Sequence, residues 1–184
     1  MAKKPKSWLA NPETLAPVDN DDDGIIQVVV ETPKGSRNKF AFDAKRGVFQ
    51  LKKVLPLGME FPHDFGFVPS TKAEDGDPVD VLILMDEPAF PGCLVECRVI
   101  GVVEGEEIED GEKTRNDRFI AVSVHSHTHS NLQDLTDLNP DFLKELRNFF
   151  VQYHHLDKTD YKCLGEKGKK AARRLLDQQI VEAA

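Results

Sequence analysis

A mainly β fold, a barrel or sandwich followed by C-terminal helices, is what this sequence predicts, on three observations. Short runs rich in valine, isoleucine and phenylalanine recur between residues 25 and 124, and Gly and Pro break them at short intervals. That punctuation suits antiparallel strands better than the long crossovers of a parallel sheet. From Asn139 onward the apolar residues change to helical spacing. The length, 184 residues, suits one compact domain with a real core, so residues 1–184 are read as a single domain with residues 1–24 as a polar, solvated arm.

The elements follow in order. The arm is Pro-rich and ends in the acidic run Asp19 to Gly24. Ile25 to Glu31 is a valine-rich strand, and Thr32 to Ser36 a turn. Asn38 to Asp43 alternates, with Lys39 and Ala41 on one face and Phe40 and Phe42 on the other. Arg46-Gly47 predicts a hairpin turn into Val48 to Leu51. Val81 to Met85 is a buried-strand run, and Cys93 to Glu104 a long strand. The acidic stretch Glu104 to Glu112 reads as a solvated loop before a last strand, Arg118 to Val124. Asn139-Pro140 reads as an N-cap followed by Pro at the first helical position. Phe142, Leu146, Phe149, Phe150 and Tyr153 then form a core-facing stripe. A second helix is expected from about Lys169 to Glu182, with Ala172, Leu175, Leu176 and Ile180 inward.

Composition excludes several classes of function. The formal net charge of -8 argues against general nucleic-acid binding, which needs a basic face. No apolar run approaches a membrane span, and Met1 to Trp8 carries charge without the apolar stretch of a secretory signal. Cys93, Cys97 and Cys163 are odd in number and lack zinc or redox spacing. They read as free thiols in a reducing, cytoplasmic setting.

The chemistry concentrates in Asp75-Gly76-Asp77-Pro78-Val79-Asp80. Gly76 permits a sharp turn and Pro78 fixes its own φ, so a stiff loop enters the following strand. Three carboxylates that close repel one another, and a hard divalent cation with oxygen ligands relieves the repulsion. An ordinary acidic turn is the competing reading. An EF-hand loop is excluded, because Val79 and Ile83 fall where it needs oxygen ligands.

Asp75 to Leu82 resembles the signature of the soluble family I inorganic pyrophosphatases. Phe61-Pro-His-Asp-Phe65-Gly-Phe67 upstream and Pro91 to Val102 downstream resemble two further segments of that family. The resemblance covers about residues 25–160 and implies a five-stranded, OB-like closed barrel flanked by helices, an α+β arrangement. It implies Mg²⁺-dependent hydrolysis of pyrophosphate to two orthophosphates, with two or more Mg²⁺ per site and a homo-oligomeric assembly. Carried over by position, Asp75 and Asp80 are metal ligands, and Asp77 is the base that takes the proton from the attacking water. Glu31 lies in or at the edge of the metal shell, and Asp110 matches a further metal-binding aspartate across a one-residue insertion. Lys39, Lys53, Arg118 and Tyr153 match phosphate-binding positions, although each alone reads as a surface residue or a core aromatic.

The departures from the family pattern are specific. Ala41 replaces a glutamate, Phe61 and Phe65 replace tyrosines, and His154 replaces a lysine. Lys53 stands for arginine and Arg118 for lysine. Asn116 falls where a metal-binding aspartate is expected, able to offer an oxygen but no charge. The resemblance is thus to a divergent member. Two readings follow from it: a Mg²⁺-dependent pyrophosphatase, or a weakly active or non-catalytic relative that binds metal or phosphate. His125, His127 and His129 alternate. On a strand they would share one face as a transition-metal site; otherwise they belong to a solvated loop or an interface.

Overall fold

A computed structural model describes residues 11–18 and 24–181. Its elements are β1 (Ile25–Thr32), β2 (Asn38–Asp43), β3 (Val48–Val54), β4 (Asp64–Val68), β5 (Val79–Leu84), β6 (Leu94–Glu109), β7 (Glu112–Arg115), β8 (Arg118–Ser123), α1 (Pro140–Leu156), β9 (Asp160–Gly168) and α2 (Lys169–Gln179). The sheet closes on itself in the order β1-β4-β5-β8-β6, and β6 returns to β1. Four of these five contacts are antiparallel and β5–β8 is parallel. This is the five-stranded, OB-like barrel. β6 runs on past it, flanked by β7 and β9, and β2–β3 stands apart as a two-stranded hairpin.

Strand alternation divides the core in two. Ile26, Val28, Val81, Ile83, Phe119 and Ala121 belong to one cluster, joined by Ala172 and Leu176 of α2. Leu82, Leu84, Ile120 and Val122 point to the opposite barrel face and pack with Leu143, Leu146 and Phe150 of α1. The helix begins as its sequence dictates: the Asn139 side chain accepts the Asp141 N–H at 2.9 Å, with Pro140 next in line. At Gly66 any Cβ would run into the Val29 carbonyl, where β1 and β4 lie close beside a register shift. Only glycine fits there.

Several boundaries differ from expectation. Glu104 to Glu109 is not a loop: it extends β6, and pairing on both edges by β7 and β9 satisfies its backbone despite its charge. β3 runs to Val54, β5 ends at Leu84, and β4 and β9 are strands in their own right. α2 stops at Gln179, after which Ile180 bridges to Thr71; Glu182 lies outside the described residues. α1 also buries Leu143 and His154, beyond the expected stripe. In the arm, residues 11–18 are fastened to the barrel rather than solvated. Ser70 donates its N–H to the Glu13 carbonyl at 2.8 Å and its hydroxyl to the Leu15 carbonyl at 2.9 Å. Residues 1–10 and the acidic run Asp19 to Asp23 lie outside the described residues. Among the described residues no helix is long and apolar enough to cross a membrane.

Candidate active site

The aspartate loop is locked by its own backbone. Ala73 N–H donates to the Asp77 carbonyl at 2.8 Å, and Gly76 N–H donates to the Ala73 carbonyl at 3.1 Å. Gly76 has φ +92°, a conformation that costs other residues strain. The Asp75 carboxylate accepts the Asp77 N–H at 3.0 Å, and Thr71 receives Val79 N–H at 2.9 Å where β5 begins. Asp80 is the second residue of β5, on the face shared with Leu82 and Leu84. Phe67 of β4 lies opposite Asp80, and Val81 lies opposite Phe119, which sets Asp80 beside Arg118.

These residues open onto one cavity of about 450 Å³. Asp75, Asp77, Asp80, Glu31, Lys39, Asn116, Arg118 and Tyr153 all line it. Phe61 and Phe65 form part of its wall, and Ala41 lines it without reaching in as a longer side chain would. Of the other expected residues, Lys53 sits at the rim: its ammonium pairs with Asp157 and lies 3.6 Å from the centre of the Tyr153 ring. Asp110 does not join this cavity. It sits at the turn between β6 and β7 and lines a neighbouring acidic cleft, together with Glu109 and Glu112. Asp75 and Glu107 line both spaces.

Burial dominates the electrostatics of the cavity, and like charge adds to it at Asp75. Burial raises the pKa of Asp75, with Asp80 and Asp77 adding to the rise against the Asp77 N–H. Burial likewise raises Glu31, although Lys39 and the Phe42 N–H oppose it. Lys39 is lowered by burial, with Glu31 and Asp80 opposing. Its ammonium lies 3.5 Å from Glu31 and 4.1 Å from the Phe65 ring centre. Burial disfavours the charge on Arg118, but Asp80 at 2.9 Å, aided by Asp75, more than offsets it and the pKa is raised.

Four charged residues in the cavity wall escaped the sequence reading, one of them Asp157 at the C-terminal end of α1. Glu13 comes from the arm, which the composition marks as solvated. Lys52 neighbours the expected Lys53. Glu107 lies in the acidic stretch taken as a loop; its strand placement aims it inward, where Asn116 Nδ2 donates to it at 3.0 Å. Its contact with His154 Nδ1 measures 3.3 Å. Strand alternation within Glu104 to Glu109 was the signal that could have found it.

The histidine alternation is not on a strand. β8 ends at Ser123 and the chain turns around Asp86, which accepts the N–H groups of His127 and Thr128 at 2.8 and 3.0 Å. Among the described residues no group of three or more His, Cys, Asp or Glu side chains forms a ready-made metal cluster. The donors at the aspartate loop nevertheless have the chemistry for a hard cation: Asp75, Asp77 and Asp80 offer carboxylate oxygens to one space.

Carboxylates and basic side chains face one cavity on a closed barrel, a set of groups with the chemistry for cations and a phosphate-bearing anion. Comparison with known proteins gives the family: the inorganic pyrophosphatase family model matches residues 28–184, and the chain belongs to that family. It is 37% identical over 157 residues to an inorganic pyrophosphatase of Nostoc sp., covering 85% of this chain and 90% of that one. A Geobacillus stearothermophilus inorganic pyrophosphatase is 35% identical over 156 residues, 85% of this chain and 92% of that one. The crystal structure of the Thermus thermophilus inorganic pyrophosphatase superposes with a TM-score of 0.85 at 35% identity, covering 93% of this chain and 97% of that one.

Proposed function

We propose that this protein is an inorganic diphosphatase that hydrolyses pyrophosphate to two orthophosphates. One observation carries the reading: the rigid aspartate loop and the cations Lys39 and Arg118 line the same cavity. Asp75, Asp77 and Asp80 hold divalent cations there, most simply two or more Mg²⁺, with Glu31 at the edge of the shell. Asp110, in the adjoining cleft, and Asn116 complete the carried-over set of metal positions. Bound there, the cations supply charge neutralisation for the departing phosphate and make the attacking water easier to deprotonate.

The chain's own residues do the rest. Asp77 accepts the proton of the attacking water on a carboxylate oxygen, carried on the stiff loop that Gly76 and Pro78 shape. Lys39 and Arg118 orient the two phosphates, and the Tyr153 hydroxyl donates to a phosphate oxygen. Burial and the nearby Asp157 raise the Tyr153 pKa, so this hydroxyl keeps its proton. Lys53 supports the site from the rim through Tyr153.

Purified protein given pyrophosphate and a series of divalent cations is the test. Phosphate release that requires Mg²⁺ and stops on chelation is expected; no release with any cation would remove the enzymatic reading. Family membership also supports a homo-oligomer, to be read from the solution mass. The free thiols Cys93, Cys97 and Cys163 support a cytoplasmic setting.

A further inference from the structure

The arm and the segment after α2 meet on the three residues that lead into the aspartate loop. Ser70 donates its N–H to the Glu13 carbonyl at 2.8 Å and its hydroxyl to the Leu15 carbonyl at 2.9 Å. From the other side, Val181 N–H donates to the Ser70 carbonyl at 2.9 Å, Ile180 bridges to Thr71, and Lys72 N–H donates to the Gln179 carbonyl at 2.8 Å. The next N–H, that of Ala73, already belongs to the loop and reaches the Asp77 carbonyl. Ser70 has φ +48°, a left-handed conformation uncommon outside glycine, and partners on both sides hold it there.

Glu13 is fixed at both of its backbone groups. It sits in the single 3₁₀ turn Pro12–Thr14, where the Asn11 side chain accepts its N–H at 3.1 Å and Ser70 takes its carbonyl. Its side chain lines the cavity with Asp75, Asp77 and Asp80. Burial raises its pKa and the Asp77 charge adds to the rise, so the two carboxylates feel one another. A carboxylate in that place repels its neighbours while the cavity holds no cation and favours any cation that enters.

We propose that the arm is part of the active site: Ser70 is the positioning residue that holds it beside the aspartate loop, and Glu13 adds a through-space charge that favours cations at Asp75, Asp77 and Asp80. The inference rests on the diphosphatase reading for the placement of those cations. The part Glu13 plays is their occupancy, not the chemical step.

The test is equilibrium binding of Mn²⁺ to the full chain without pyrophosphate, with a thermal melt on each sample. Glu13→Gln is expected to weaken Mn²⁺ binding about threefold or more and Glu13→Lys about tenfold or more, the order that one and two units of lost charge impose on a divalent ion through partly solvated space. Both losses should shrink as salt is raised. Equal Mn²⁺ affinity in the parent and both folded variants overturns the proposal. So does an equal loss in both, the mark of packing rather than charge. Ser70→Gly keeps the left-handed backbone at no steric cost and drops the hydroxyl bond to Leu15. It is expected to give a smaller loss in the parent and none beyond that of Glu13→Gln in the double variant. Fully additive losses would show that Ser70 does not act through the arm. The graded order in samples that release no phosphate would support the proposal and count against the diphosphatase reading alone.

Discussion

At the scale of single residues, two buried groups with opposed pH behaviour lie outside the carried-over set of site residues. Asp64 is 1% exposed, burial pushes its pKa up to about 6, and one of its oxygens has no hydrogen-bond partner. Its folded pKa lies above the unfolded value, so its contribution is full below about pH 4 and is lost as pH rises toward 6. His154 is 4% exposed, and burial, with Arg118, lowers it to about 4. Its contribution is full above the unfolded value and is lost as pH falls from about 6.5 toward 4. The two losses run in opposite directions through one window and largely mask each other. Asp64→Asn separates them: melting curves at pH 7 should show about 1–3 kcal/mol of added stability, and the gain should vanish near pH 4. Equal gains at both pH values would show that Asp64 is not the source. A neutral amide from the outset would have hidden this effect, and the sequence shows only an Asp inside an aromatic segment.

At the scale of elements, the aspartate loop was legible because its chemistry is local. Gly76, Pro78 and the aspartates around them specify a turn without help from the rest of the chain. The helix at Pro140 was legible for the same reason. The extension of β6 was not: Glu104 to Glu109 is charged, and it is a strand only because β7 and β9 pair with both its edges. β9 itself offers the alternation Tyr161, Cys163 against Lys162, Leu164 and two glycines, a weak pattern. Glu107 was hidden with the strand that carries it. Packing at Gly66 gives a clear outcome: Gly66→Ala should lower stability by about 3 kcal/mol or more, since the obstacle is backbone and not a side chain that can swing away. A denaturant midpoint unchanged from the parent would contradict the β1–β4 approach. The β2–β3 hairpin leans on α1 through Lys53 and Asp157. The pair is partly exposed, so Lys53→Met should shift Tm by less than about 4 °C. It should raise KM for pyrophosphate roughly tenfold with a smaller change in kcat, because Tyr153 loses the charge above its ring. An unaltered KM would take Lys53 out of the substrate site.

At the scale of the whole molecule, an acidic chain with a formal charge of -8 draws a polyanion only where cations are held locally. The barrel arranges this by splitting each strand's alternation: one face fills the interior, while the other carries Asp80 and Arg118 beside the apolar seat of α1. The closed ring itself was expected from the family resemblance, since strand spacing alone left barrel and sandwich open. The departures Ala41, Phe61 and Phe65 leave the cavity wall more apolar than the family pattern, and Asp77 carries the proposed proton transfer. The most direct measurement is therefore phosphate release from pyrophosphate by parent and Asp77→Asn protein, with a thermal melt and Mn²⁺ binding on the same samples. The account predicts a loss of turnover on the order of 10²–10⁴-fold, a melt close to the parent's, and less weakening of metal binding than Asp80→Asn produces. Near-parental turnover in folded Asp77→Asn would contradict it.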